Sequence, residues 1–240
     1  MENTENHPKV LIGCPTSYHK EYCLEKYIEG LKNIDYPNFD ILLIDNSEDD
    51  NYFNKIKSYN IPVIKGPYFE GARDRITASR NILREKTIEE GYDYLFSLEQ
   101  DVVPPRDVLL KLTRQEKKVI SCIYFVHNII ENKRELTPQA FVILEGKEHA
   151  DLPSMRPLNS FELNSDKIMQ IVSCGLGCVL IHKDILKQIK FRYDKNTEAF
   201  DDRPFCIDLY KKNIPIFCDT SIKCMHYILN RPYPWAKIKK

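Results

Sequence analysis

The sequence predicts an α/β fold in which strands cross over through helices into a parallel sheet. Two observations carry that reading. Short apolar runs alternate with longer segments of helical spacing through the first half of the chain, and several runs end abruptly on polar residues.

Lys9 to Cys14 (KVLIGC) reads as a buried strand stopped by Pro15. Glu21 to Asn33 follows, with Tyr22, Cys23, Tyr27, Ile28 and Leu31 on one helical face. Asp40 to Ile44 is the second strand, Asn51 to Tyr59 a short helix, and Ile61 to Ile64 a third strand. Thr77 to Glu90 has helical spacing and stops at Gly91, a residue suited to closing a helix. Tyr94 to Leu98 is a fourth strand, and Pro104-Pro105 suits the first turn of a helix reaching Leu112. Val119 to Val126 is a further strand. Residues 128 to 168 are polar apart from the run Ala140 to Leu144, an irregular excursion with a strand or two. Ile171 to His182 returns to strand character, Lys183 to Ile189 and Asp202 to Lys212 are helices, and Ile214 to Asp219 is a last strand.

A length of 240 residues suits one domain over 1–240, and its 42% hydrophobic content is ordinary for a packed core. Lys plus Arg and Asp plus Glu are each 35, so no general attraction to nucleic acid is expected. No apolar run approaches the ~20 residues needed to cross a bilayer. Met1 to Lys9 is polar and has no signal-peptide core, so the expected address is cytoplasmic. The aromatic and basic RPYPWAKIKK leaves room for weak contact with a membrane surface, a solvated tail being the simpler expectation. Eight cysteines form no C-x-x-C pair and sit mostly in apolar runs, which predicts buried free thiols. The histidines at 7, 19, 127, 149 and 182 read as ordinary surface or core residues.

Polar clusters follow three of the predicted parallel strands: Pro15-Thr16, Asp45-Asn46-Ser47 and Glu99-Gln100-Asp101. Open α/β sheets bind ligands beyond the C-terminal ends of their strands, where the crossovers diverge. Glu99 and Asp101, two carboxylates directly after a buried strand, are costly unless paired. A hard divalent cation carrying a diphosphate would remove that cost; a polar turn before a proline-started helix is the plainer alternative.

The order and spacing resemble the GT-A glycosyltransferases, especially family 2. The resemblance rests on the strand into Pro15-Thr16, the strand ending Asp45-Asn46-Ser47, and a helix carrying Ala78-Ser79-Arg80-Asn81. It continues with Glu99-Gln100-Asp101 before Val102-Val103-Pro104 at the family's D-x-D position. Val172 to Ile181, Asp201-Asp202-x-x-Phe205-Cys206, and Asp219 through His226 complete it. It covers roughly residues 9 to 227 and implies a Rossmann-like GT-A fold, a mixed, mostly parallel sheet flanked by helices. Residues of about 9–126 would form the nucleotide-donor half, about 127–227 the acceptor and catalytic half, and 228–240 a tail.

The same resemblance implies roles. Asp45 would hydrogen-bond the donor base, with Thr16 beside it. Arg80 would contact the donor site, or else hold its helix by a salt bridge. Asp101 would ligate Mn2+ or Mg2+, His226 would complete the metal site, and Glu99 would face the ribose or a second coordination position. Gly175 and Gly177 would allow close approach beside the donor sugar, although strand glycines equally mark bulges. Asp202 would be the general base, supported by Asp201. Glu99 departs from the family's usual aspartate, by one methylene. The function implied is metal-dependent, inverting transfer of a sugar from a nucleotide-sugar donor to a carbohydrate, lipid-linked or protein acceptor. A sugar nucleotidyltransferase fits less well, because CPTSYHKEY stands where those enzymes carry a glycine-rich basic signature. A non-catalytic nucleotide- or sugar-binding protein on the same scaffold is the other alternative.

Overall fold

The structure, a computed structural model, describes residues 7–130, 133–144 and 153–228. Strands β1 (Val10–Thr16), β2 (Phe39–Asp45), β3 (Val63–Lys65) and β4 (Tyr94–Leu98) run parallel in the spatial order β4-β1-β2-β3. The crossovers between them are α1 (Leu24–Lys32), α2 (Asn51–Ser58) and α3 (Ala72–Glu89). A 3-10 turn, Tyr18–Cys23, replaces the first turn expected of the helix from Glu21.

Helix α3 begins five residues before the expected Thr77, because its buried face is polar: Arg75, Ser79 and Arg80 lie inward beside Leu83 and Thr87. An apolar period cannot mark such a face. The helix ends before Gly91, whose φ of +75 is the left-handed conformation glycine adopts without strain.

Beyond β4 come β5 (Val102–Val103), α4 (Val108–Thr113) and β6 (Val119–Ile123). The expected single strand from Val119 to Val126 breaks at Tyr124, and the chain continues as the hairpin β7 (Phe125–Ile130) and β8 (Lys133–Pro138). Next are β9 (Ala140–Ile143), β10 (Met155–Pro157), α5 (Ser160–Leu163), β11 (Ile168–Ile171) and β12 (Ser173–Cys174). Small side sheets, β7-β8 and β10-β9-β12, thus draw most of their strands from the polar excursion. They are joined through backbone pairing and left little hydrophobic signature. The chain finishes with β13 (Cys178–His182), α6 (Lys183–Gln188), α7 (Asp202–Lys211), β14 (Ile216–Lys223) and β15 (Met225–His226).

The main sheet has the order β11-β14-β6-β13-β4-β1-β2-β3. β13 is antiparallel to both β4 and β6, β14 is parallel to β6, and β11 is antiparallel to β14. The sheet is therefore mixed and mostly parallel.

Alternation along each strand sends successive side chains to opposite faces. Val10, Ile12, Phe96, Leu98, Cys122 and Leu180 pack with Leu24 and Tyr27 of α1, Tyr52 of α2 and Leu109 of α4. Leu11, Leu95, Val119 and Ile181 pack with Leu83 of α3, Ile185 of α6 and Phe205 and Leu209 of α7. Helices thus cover both faces. All eight cysteines are buried and free, and the sulfurs of Cys122, Cys178 and Cys224 lie within 4.8 Å of one another in the first of these layers. Among the described residues no helix is long and apolar enough to cross a membrane. The basic tail of 229–240 lies outside the described residues.

Candidate functional site

Thr16 and Asp45 are register partners at the C-terminal ends of β1 and β2, so adjacent parallel strands deliver both to one edge. Asp45 is fully buried. Its Oδ1 accepts from the Ser47 backbone N–H at 3.1 Å and the Ser47 hydroxyl at 2.6 Å, and its Oδ2 from the Lys65 ammonium at 3.0 Å.

At the end of β4 the three residues Glu99, Gln100 and Asp101 have separate surroundings. Gln100 turns inward, where its Oε1 accepts from the Thr16 hydroxyl. Its Nε2 donates to the Lys20 carbonyl at 2.6 Å and the Tyr52 hydroxyl at 2.7 Å. One neutral amide thereby ties β1, α2 and the 3-10 turn to the strand end between the two acids. Glu99 stays one-third exposed and meets Arg80 Nη2 at 3.3 Å.

Asp101 is fully buried, and its Oδ2 meets the Lys20 ammonium, the Tyr22 hydroxyl at 3.4 Å and His226 Nε2 at 3.3 Å. The contact with His226, 125 positions later, follows from a two-residue ladder. β15 pairs with β5 in the register His226↔Val102, and the Tyr227 N–H donates to the Asp101 carbonyl at 2.8 Å.

His226 Nδ1 lies 2.6 Å from the Phe125 carbonyl, which can only accept, so Nδ1 carries the proton. In the neutral ring Nε2 then presents a lone pair toward Asp101. Nε2 is buried, and no hydrogen-bond donor among the described residues reaches it. A lone-pair nitrogen and a carboxylate oxygen facing each other are mutually unfavourable unless a cation joins them. A carbonyl that fixes the other ring nitrogen is also the usual support of a metal-binding histidine. The donor set therefore fits a divalent cation with one imidazole and one carboxylate. Glu99 does not join them: among the described residues, the close grouping of three ligand side chains is the thiol trio of the core.

Arg80 is 1% exposed and spends its guanidinium on protein partners. Nε donates to Asp201 Oδ2 at 2.7 Å, Nη1 to the Ser97 hydroxyl at 2.5 Å, and Nη2 meets Glu99. Of the two expected roles, the internal salt bridge is the one its contacts display. Asp201 stands just before the first turn of α7, where its side chain turns to Arg80 instead of capping the helix, and burial raises its pKa despite the Arg80 charge. Asp202, in the first turn, accepts from the Arg203 N–H at 2.8 Å. Burial, and next the Asp201 charge, push Asp202 up to about 6, a value suited to taking a proton near neutrality.

Gly175 and Gly177 lie between β12 and β13, and the group that approaches them is the Tyr124 side chain. A Cβ on Gly175 would stand 2.1 Å from the Tyr124 hydroxyl, and one on Gly177 would stand 2.8 Å from its ring. The Gly177 N–H donates to that hydroxyl at 3.1 Å, and the same ring packs edge-on against His226 at 5.4 Å. Tyr124, Lys20 and Gln100 escaped the sequence reading. Tyr124 sits inside an apolar run, Gln100 is the variable middle of its motif, and Lys20 belongs to a polar loop with no recognised pattern.

No protein-family model matches the chain, and no curated protein resembles it in sequence. Solved structures do resemble it in shape. GalNAc-T7, solved with UDP, GalNAc and Mn2+, aligns over 92% of this chain and 44% of its own, with a TM-score of 0.64 and 12% identity. Residues 1–349 of S. aureus TarS, solved with UDP-GlcNAc, align over 90% of this chain and 58% of their own, with a TM-score of 0.54 and 14% identity. A197 from STIV aligns over 92% of this chain and 86% of its own, at a TM-score of 0.48 and 16% identity. This chain thus spans about half the length of GalNAc-T7 and of that TarS fragment. The likeness lies in the fold: this chain has the GT-A glycosyltransferase fold.

Proposed function

We propose that this chain is a divalent-cation-dependent glycosyltransferase that moves a sugar from a nucleotide-diphosphate sugar to an acceptor hydroxyl with inversion. The observation that carries the reading is the convergence of Asp101 Oδ2 and His226 Nε2, 3.3 Å apart at the strand-end edge that holds Asp45. A fold shared with GalNAc-T7 and TarS, which were solved with UDP or UDP-GlcNAc, supports a nucleotide-sugar donor. A bound Mn2+ or Mg2+ would stabilise the charge that gathers on the leaving diphosphate. Mn2+ is the better match, because imidazole suits it more than magnesium, which prefers an all-oxygen shell.

The chain's own residues divide the remaining work. Asp45, buried and held by Lys65 and Ser47 at the strand end beside Thr16, would meet the base or ribose of the donor. Asp101 and His226 would hold the cation. Arg80 locks Asp201 and Glu99 in place, so that the start of α7 is fixed against the end of β4. Asp202 takes the acceptor proton as the hydroxyl attacks, and direct displacement by that route inverts the anomeric centre. The acceptor is a carbohydrate, lipid-linked or protein hydroxyl, met by the second half of the chain.

A panel of UDP- and GDP-sugars with and without Mn2+ tests the proposal in two readouts. Thermal shift should rise with the correct donor by mass action, and donor hydrolysis should require Mn2+. His226→Ala should abolish the Mn2+ requirement together with the turnover. Binding without any turnover would instead favour a non-catalytic binder on this scaffold, and neither binding nor turnover would reject the assignment.

A further inference from the structure

The cation that Asp101 holds is the ammonium of Lys20. It meets Oδ2, the same oxygen that faces His226 Nε2, and it comes from the solvent side: the Lys20 side chain is 26% exposed, whereas those of Asp101 and His226 are 0% and 5%. A divalent ion bound to that oxygen and an ammonium on it would bring three positive charges together beside one carboxylate. Their repulsion is strong in a partly buried site, so the two cannot share it.

The backbone of Lys20 is pinned. Its N–H donates to the Ser17 carbonyl at 2.8 Å, and its own carbonyl accepts from Gln100 Nε2 at 2.6 Å. Only the side chain can leave Asp101, and it stays tethered at the strand-end crevice when it does.

We propose that Lys20 is the resident counter-ion of Asp101 and the positioning residue that couples metal binding to nucleotide binding. The inference rests on the reading of Asp101 and His226 as metal ligands. Metal loading expels the ammonium from Oδ2, and the expelled charge needs an anion within the reach of one side chain. The diphosphate of a bound nucleotide supplies it. Each ligand therefore helps the other through Lys20: the metal frees the ammonium for the phosphates, and the phosphates hold the ammonium away from the metal's carboxylate. Such coupling is reciprocal by linkage.

The test is Mn2+ binding followed by electron paramagnetic resonance, alone and with saturating UDP or GDP, on wild type and Lys20→Met. Methionine keeps most of the unbranched stem of the side chain and removes its charge. Wild type should bind Mn2+ weakly alone and about tenfold or more tightly with the nucleoside diphosphate, a typical single coupling. Lys20→Met should bind Mn2+ alone about tenfold more tightly than wild type does, and should lose most of the gain from nucleotide. Lys26→Met, which removes an exposed ammonium paired with Glu29, is the charge control and should match wild type.

Equal Mn2+ affinities for wild type and Lys20→Met without nucleotide would overturn the coupling. The parent reading would still stand in that case if His226→Ala weakened Mn2+ binding in the presence of UDP or GDP. A wild type that binds no Mn2+ with either nucleotide would overturn both.

Discussion

Asp202→Asn should make the protein more stable above pH 6 and nearly inactive, and both effects follow from the setting of one carboxylate. Its pKa rises from the ordinary 3.8 to about 6, through burial first and the neighbouring Asp201 charge second. The folded state therefore binds this proton more tightly than the unfolded state does, and stability falls as pH climbs from about 4 to about 6. At about 1.4 kcal/mol per unit, the ionised group burdens the fold by about 3 kcal/mol at higher pH. Asn removes that burden and keeps the acceptor for the Arg203 N–H. It also gives up a favourable charge in the first turn of α7, worth roughly 0.3–1 kcal/mol, and the site is partly open to water. The net gain expected is about 1–2 kcal/mol at pH 8, shrinking toward zero near pH 4. Urea denaturation at both pH values reads it directly. In the same variant kcat should drop by about 10²–10⁴, and wild-type turnover should fall to about a tenth by pH 5 as Asp202 takes up its proton. A variant no more stable than wild type at pH 8, or one with an equal gain at pH 4, would refute the buried-charge account; retained turnover would refute the role as base.

Asp45→Ala should weaken nucleotide binding by about tenfold or more in calorimetry, because a hydrogen bond to a charged acceptor is lost. The fold should suffer too, by about 1–3 kcal/mol in urea denaturation, since Ser47 and Lys65 lose their shared acceptor. Arg80→Met should cost about 3–5 kcal/mol by leaving Asp201 uncompensated in the interior, and Arg80→Lys should recover only part of it, lacking the planar fork. Gly175→Ala should cost roughly 1–3 kcal/mol through its clash with the Tyr124 hydroxyl, and Tyr124→Phe in the same chain should return some of that stability.

The parallel part of the sheet was legible because β1, β2 and β4 are apolar runs that end on polar residues. That pattern put Asp45 and Asp101 in polar clusters at strand ends, and the resemblance supplied their roles. The start of α3 was not legible, since Arg75, Ser79 and Arg80 form its inner face and leave no apolar period over its first turns. The break of the Val119 strand at Tyr124 was hidden as well, because a tyrosine suits an apolar run as well as it suits the space beside two glycines. Local spacing says nothing of the pairing between β5 and β15, two residues on each side; only the resemblance of the whole motif order brought His226 to Asp101. Arg80 could not be assigned between donor and salt bridge until its partners, 17 to 121 positions away, were in view.

The placement of β13 has a consequence for any attempt to divide this protein. That strand, residues 178 to 182, lies between β4 and β6, both of which precede it by more than fifty residues in the chain. β6 has β13 and β14 as its sheet neighbours, and both come from the second half. A fragment ending near residue 126 would carry β6 with no partner in that sheet and β4 with one bare edge. Bare edges of apolar strands are templates for aggregation. The first and second halves of the chain are accordingly parts of one sheet, and expressing the first without the second should yield insoluble material rather than a small folded domain.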